Sequence, residues 1–141
     1  MDIAQKKLLV TNALPYANDS IHIGHLVGYI QADIWVRFQK LQGTDCLYVC
    51  ASDAHGTPIM LRAEKIGVGP EELANEYMQE HHRDFKDFLI NFDNYYTTHS
   101  KENQELIEEI FSKLVKNNRI EKQIIEQAFD DKEQMFLPDR Y

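Results

Sequence analysis

His22, Gly24 and His25 are the residues best placed to do chemistry. They follow a turn-forming stretch, Pro15-Tyr16-Ala17-Asn18-Asp19-Ser20, which itself follows an apolar run from Leu8 to Leu14. An amphipathic helical pattern begins immediately after them. Strand, tight turn, glycine and helix start together make a nucleotide-phosphate site, because the free N–H groups of a helix N-terminus attract an anion. Two imidazoles three residues apart add donors on one face of the first helical turn. A capping histidine would leave the same four letters, so His-x-Gly-His by itself is compatible with both roles.

A second chemical segment is Ala51-Ser52-Asp53-Ala54-His55-Gly56-Thr57-Pro58. It lies just past a strand-like run, Cys46 to Cys50. Open parallel sheets bind ligands outside the carboxyl ends of neighbouring strands, so this segment is expected to face the His22/His25 turn. Asp53 could bind a cationic substrate group, orient His55 or hold magnesium. As a plain turn residue before a helix it would do none of these.

The elements that must position these groups follow from periodicity. Leu8 to Leu14, bounded by Pro15, is a buried parallel strand. A helix is predicted from His22 to Leu41, with Asp33, Arg37 and Lys40 as a solvent-side polar stripe. Leu26, Ile30, Ile34, Phe38 and Leu41 form its apolar side, and Gly43 follows its end. With the strand at Cys46–Cys50 this completes a βαβ unit, expected to be right-handed. Thr57 is expected to cap a short helix carrying Pro58 at its first position and closed by Gly67. Gly69-Pro70 opens a longer helix whose apolar face reads Ala74, Met78, His81, Phe85 and Phe88, with His81 as a packed imidazole. Tyr95 to Thr98 is a third strand. Ser100 caps a last helix with core positions Leu106, Ile107, Ile110, Phe111, Leu114 and Val115. Gln123–Phe129 and Met135–Leu137, split by Asp130-Asp131-Lys132, read as a hairpin.

Composition bounds the function. The chain has 141 residues, a size that fits one α/β domain with a real core. Its net charge of −8 argues against a nucleic-acid grip by this chain alone, which would need a basic stripe. Lys113, Lys116, Arg119 and Lys122 lie among acidic neighbours and read as solvated surface. No apolar run approaches the roughly 20 residues of a membrane span, and no signal-peptide pattern opens the chain. A cytoplasmic location is the default expectation. Cys46 and Cys50, four apart on a strand, would be about 13 Å apart, too far for a disulfide. They are expected to be buried thiols, and no metal site is expected.

The blocks Leu14-Pro15-Tyr16-Ala17-Asn18 and His22-Ile23-Gly24-His25 resemble the first signature of class I aminoacyl-tRNA synthetases, in particular the methionyl-tRNA synthetase family. Ser52-Asp53-Ala54-His55-Gly56-Thr57-Pro58-Ile59 is similar to that family's second block, and Phe92-Asp93-Asn94-Tyr95-Tyr96-Thr97-Thr98-His99-Ser100 to its third-strand block. Met135-Phe136-Leu137-Pro138-Asp139-Arg140-Tyr141 is similar to the lead-in to its connective insertion. The resemblance runs from Lys7 to Tyr141 in order and spacing. It implies an incomplete Rossmann-like, doubly wound α/β fold, with residues 1–118 as the first half of the catalytic domain and 119–141 as the start of the insertion.

By the same resemblance Leu14 and Tyr16 line a methionine pocket and Asp53 receives the substrate ammonium. His22 and His25 face the ATP phosphates, and Gly24 lets adenine approach the backbone. The implied partners are methionine, ATP with Mg2+, and tRNA(Met); zinc is expected only in an insertion beyond these residues. The chain departs from the family pattern at Asp19, commonly glycine, and at Gly28, commonly larger and polar. It also has no Lys-Met-Ser-Lys-Ser motif, so the chain reads as cut off and inactive alone. A small stand-alone nucleotidyltransferase with the same His-x-Gly-His, or a non-catalytic methionine- or nucleotide-binding module, is the alternative. Nucleotidyltransferases of that kind usually lead in with a Gly-(Ser/Thr)-Phe-Asp-Pro turn, which is missing here.

Overall fold

A computed structural model describes residues 7–132 and 134–136. The elements run β1 (Lys7–Thr11), α1 (Ile23–Leu41), β2 (Asp45–Ser52), α2 (Thr57–Ile66), α3 (Pro70–Asp87), β3 (Asn94–Thr97), α4 (Lys101–Lys116), β4 (Phe129–Asp130) and β5 (Met135–Phe136). The chain divides after Ser100 into two units.

The first unit is a three-stranded sheet in the order β1-β2-β3, parallel throughout. Leu8 pairs with Cys46 and Thr11 with Val49, while Cys50 pairs with Tyr95. Parallel pairing without hairpins requires crossovers, which α1 supplies between β1 and β2 and the α2–α3 pair between β2 and β3. The core joins Leu26, Tyr29 and Val36 of α1 to Cys46, Tyr48 and Cys50 of β2 and to Phe85 and Ile90. A second cluster packs Ala17 and Ala54 against Ile59, Ala63, Leu73 and Ala74 of the α2–α3 pair. Both cysteines are buried and unbridged, and burial pushes the Cys50 thiol up to about 11, away from the reactive thiolate.

Helix α1 corrects the expected stripe. Its buried face is Leu26, Tyr29, Asp33 and Val36, whereas Ile34, Phe38 and Leu41 are exposed. Asp33 does not face solvent. Its carboxylate accepts hydrogen bonds from Arg37 and, at 2.9 Å, from the Asn91 N–H, while Arg37 also donates to the Leu89 carbonyl. Lys40 reaches Asp93 at 2.7 Å, and Asp93 accepts the Tyr48 N–H at 2.8 Å. A carboxylate can be buried when its oxygens are matched in this way.

Two further corrections are local. The N-cap of α2 is Gly56 rather than Thr57, so Pro58 is the second helical residue. On α3 the buried residues are Leu73, Ala74, His81 and Phe85, and Phe88 is half exposed because it is the C-cap.

In the second unit, none of the residues of α4 is buried, so Leu106, Ile107, Ile110, Phe111, Leu114 and Val115 form an amphipathic stripe and not the expected core. The hairpin exists as two antiparallel two-residue strands, Phe129 opposite Phe136 and Asp130 opposite Met135. Gln123 to Ala128 carries no strand, and Leu137 to Tyr141 lies outside the described residues. Among the described residues no helix is long and apolar enough to cross a membrane.

Candidate active site

The expected meeting of the two chemical segments is built from backbone hydrogen bonds. Asp53 N–H donates to the Pro15 carbonyl and Ala17 N–H donates to the Asp53 carbonyl, both at 2.9 Å. Tyr16 and Asp53 form a parallel bridge that extends the β1–β2 pairing past the strand ends. The segment after β2 is fastened to the end of β3 as well: Thr98 N–H donates to Ser52 O, and Ala54 N–H donates to Thr98 Oγ1, each at 2.9 Å.

His22 is the N-cap of α1, and the cap is reciprocal. Gly24 N–H donates to His22 Nδ1 at 3.1 Å, while His22 N–H donates to His25 Nδ1 at 3.2 Å. Both orphan donors of the helix start are thereby matched, as in a capping box whose usual Ser and Glu are replaced by histidines. The two rings stack with centroids 3.8 Å apart and planes 18° from parallel. An Nδ1 that accepts a backbone N–H carries no proton, so each neutral ring has its proton on Nε2. Partial burial, then His22 and then His81, hold the His25 imidazole below its ordinary value and favour that neutral form.

Tyr16 is fixed from the other side. A Cβ built on Gly56 would stand 2.6 Å from the Tyr16 hydroxyl, and Gly56 has φ +128°. Only glycine satisfies both that space and that conformation. Burial raises the Tyr16 phenol; a hydrogen bond from the Ile59 backbone opposes this and the nearby Asp53 carboxylate reinforces it.

Leu14, Tyr16 and His25 share a pocket of about 260 Å³ with Pro15, Ile21 and Tyr29. Tyr29, absent from the sequence reading, anchors the turn through a hydrogen bond from its hydroxyl to the Ala13 carbonyl. His22 and Gly24 stand at the helix start outside this lining. Asp53 is half buried and also outside it, joined to Tyr16 through the bridge. His55 pairs with His99, Nε2 to Nδ1 at 3.0 Å, at the ends of β2 and β3. That pairing joins two loops 44 residues apart, and no local spacing announces it. Among the described residues no three His, Cys, Asp or Glu side chains converge as metal ligands.

Residues 8–141 match the family model for tRNA synthetases class I (M). The chain is 59% identical over 136 residues to the methionine–tRNA ligase of Francisella tularensis subsp. tularensis, and 55% identical to that of Neisseria meningitidis serogroup C. Each alignment covers 96% of this chain but 20% of the relative, so the chain spans about a fifth of their length. Among solved structures, Mycobacterium tuberculosis methionyl-tRNA synthetase bound by methionyl-adenylate superposes with TM-score 0.78 at 27% identity, over 80% of this chain and 22% of that one. The Agrobacterium radiobacter K84 LeuRS–tRNA–LeuAMS complex gives TM-score 0.83 at 24% identity, covering 96% and 18%, a likeness of fold. By fold, by the match over 8–141 and by these relatives, the chain belongs to the class I (M) tRNA synthetase family.

Proposed function

We propose that this chain forms the N-terminal part of a cytoplasmic enzyme that activates methionine with ATP and then charges tRNA(Met). The reaction joins the methionine carboxylate to the α-phosphorus of ATP and releases pyrophosphate. Nucleophile and leaving group both come from the substrates, so the protein's share is positioning and charge stabilisation. Leu14 and Tyr16 form the wall for the thioether side chain, and Asp53 takes the ammonium. Gly24 leaves room for adenine, and the Nε2–H groups of His22 and His25 donate to the phosphates as negative charge grows there. Magnesium enters as part of the nucleotide substrate, and zinc is expected only in an insertion beyond these residues.

The observation that carries this reading is the reciprocal histidine cap. It uses both Nδ1 atoms for structure and leaves two Nε2–H donors at the positive end of a 19-residue helix. The relatives' names favour it over a stand-alone nucleotidyltransferase. Because the chain spans about a fifth of these relatives' length, the reading is tested in a full-length context. The test is a chimera in which these residues replace the matching fifth of a methionine–tRNA ligase relative. Methionine-dependent exchange of pyrophosphate into ATP is expected. Exchange that ignores methionine but responds to a phosphorylated acceptor would overturn the reading.

A further inference from the structure

We infer that His81 is a positioning residue for the turn that delivers His22 and His25; its kinetic consequence rests on the function proposed above. His81 lies on α3, far in sequence from that turn, and is fully buried. Its Nε2 sits 2.8 Å from the Asp19 carbonyl oxygen, 62 residues away. A carbonyl only accepts, so Nε2 carries the proton and donates. Nδ1 is then a bare acceptor, and it is buried with no hydrogen-bond partner among the described residues.

That arrangement is costly for a residue that only fills space. A buried polar atom left unmatched is unfavourable, and a leucine or methionine would pack there without it. What histidine adds is one directional bond to the turn. Among the described residues, the other hydrogen bonds of Asn18 to Ser20 are local: Asn18 N–H to the Tyr16 carbonyl, and Ser20 N–H to Asp19 Oδ1. His81 is therefore the long-range tie on the three residues that lead into the helix start. A chain segment fixed at Asp19 sets where the His22 cap begins, and with it where both Nε2 atoms point.

The experiment compares three substitutions in the chimera. The amide nitrogen of His81→Gln can stand where Nε2 stood, that of His81→Asn only where Nδ1 stood, and His81→Leu has no donor. Expected are losses of about 10- to 100-fold in kcat of methionine-dependent exchange for Leu and Asn, the size that misplacement of reacting groups by about 1 Å produces. The methionine KM should stay within about threefold, and Gln should restore kcat to within about fivefold of wild type. In parallel, amide hydrogen exchange across Asn18 to His25 should quicken in Leu and Asn but not in Gln. Equal losses in all three variants, including a common failure to fold, would reduce His81 to packing and overturn the inference. So would wild-type kcat and unchanged amide exchange in His81→Leu. If the unsubstituted chimera shows no methionine-dependent exchange, the functional reading fails, and the amide-exchange comparison still decides the role of His81.

Discussion

Replacing Gly24 by alanine should separate the stability of the helix start from its chemistry. Gly24 sits in the first turn of α1 without a positive φ, so a Cβ is compatible with its backbone. Alanine there gains about 0.5–1 kcal/mol over glycine in a helix. The added Cβ, however, would stand 3.0 Å from His22 Cε1 and 3.1 Å from His22 Nδ1, tighter than almost all such contacts. The His22 ring must give by a few tenths of an ångström, which weakens its acceptance of the Gly24 N–H and disturbs its 3.8 Å stack on His25. Losing an N-cap interaction costs about 1 kcal/mol, so gain and loss nearly cancel. The net change in stability should stay within about 1 kcal/mol.

Chemistry should not be spared. A donor aimed at developing phosphate charge contributes about 10²- to 10³-fold, and a His22 ring pushed a few tenths of an ångström off its seat loses part of that effect. The assay is methionine-dependent pyrophosphate exchange in the chimera, with denaturation midpoints measured on the same samples. The expected result is a fall in kcat of about 3- to 30-fold with a midpoint close to wild type. A normal kcat with a raised KM for ATP alone would refute the reasoning. It would mean that Gly24 serves only the approach of adenine proposed above and has no part in seating His22.

The remaining expectations address other parts of the site. Asp53→Ala should weaken methionine binding about 30-fold or more, because a substrate ammonium loses its buried carboxylate partner; ATP affinity, read by calorimetry, should change less than about threefold, and equal weakening of both would assign Asp53 to the fold. His25 should titrate below the ordinary 6.5 of histidine in an NMR pH series. Because its native value is depressed, the stability it contributes is complete above about pH 6.5 and is lost as pH falls through the lower native value; a His25 titrating above 6.5 would contradict the neutral cap. Asp33→Ala should cost about 1–2 kcal/mol, since it takes the charged acceptor from the Asn91 N–H and the partner from Arg37, with the exposure of both Asn91 and Arg37 limiting the loss; urea unfolding showing less than about 0.5 kcal/mol would mean that the carboxylate is replaceable by water.

The parts of the fold legible in the sequence are those decided by neighbours along the chain. Gly67 closes α2 in the left-handed conformation and Gly69-Pro70 opens α3, whereas β1 stops at Thr11, short of Pro15, and buries none of its residues, so the expected buried strand to Leu14 is corrected. What the sequence hid was decided at long range. The face α1 buries is set by Asp33, and Asp33 can be buried because Asn91 arrives 58 residues later with a free N–H. Periodicity counts a carboxylate as polar and rotates the helix away from it. Likewise His81 was readable as packed, but its bond to Asp19 depends on how α3 crosses the turn. The pairing of His55 with His99 needed the β2–β3 register before the two loops could meet.

The ambiguity of His-x-Gly-His has a different origin, in the histidine side chain itself. Capping residue and phosphate donor compete only for a side chain with a single polar edge. An imidazole has two nitrogens on opposite edges of the ring, and here they divide the work. Nδ1 of each ring accepts a backbone N–H, which fixes the tautomer, the ring plane and the start of α1. That same acceptance obliges the proton to reside on Nε2, the atom left to donate outward. A serine cap would satisfy the backbone equally well but would have no second edge to offer a phosphate. A lysine would offer charge but could not accept the backbone N–H. Two histidines around Gly24 meet both demands at once, so the capping geometry supports the proposed chemistry and does not compete with it.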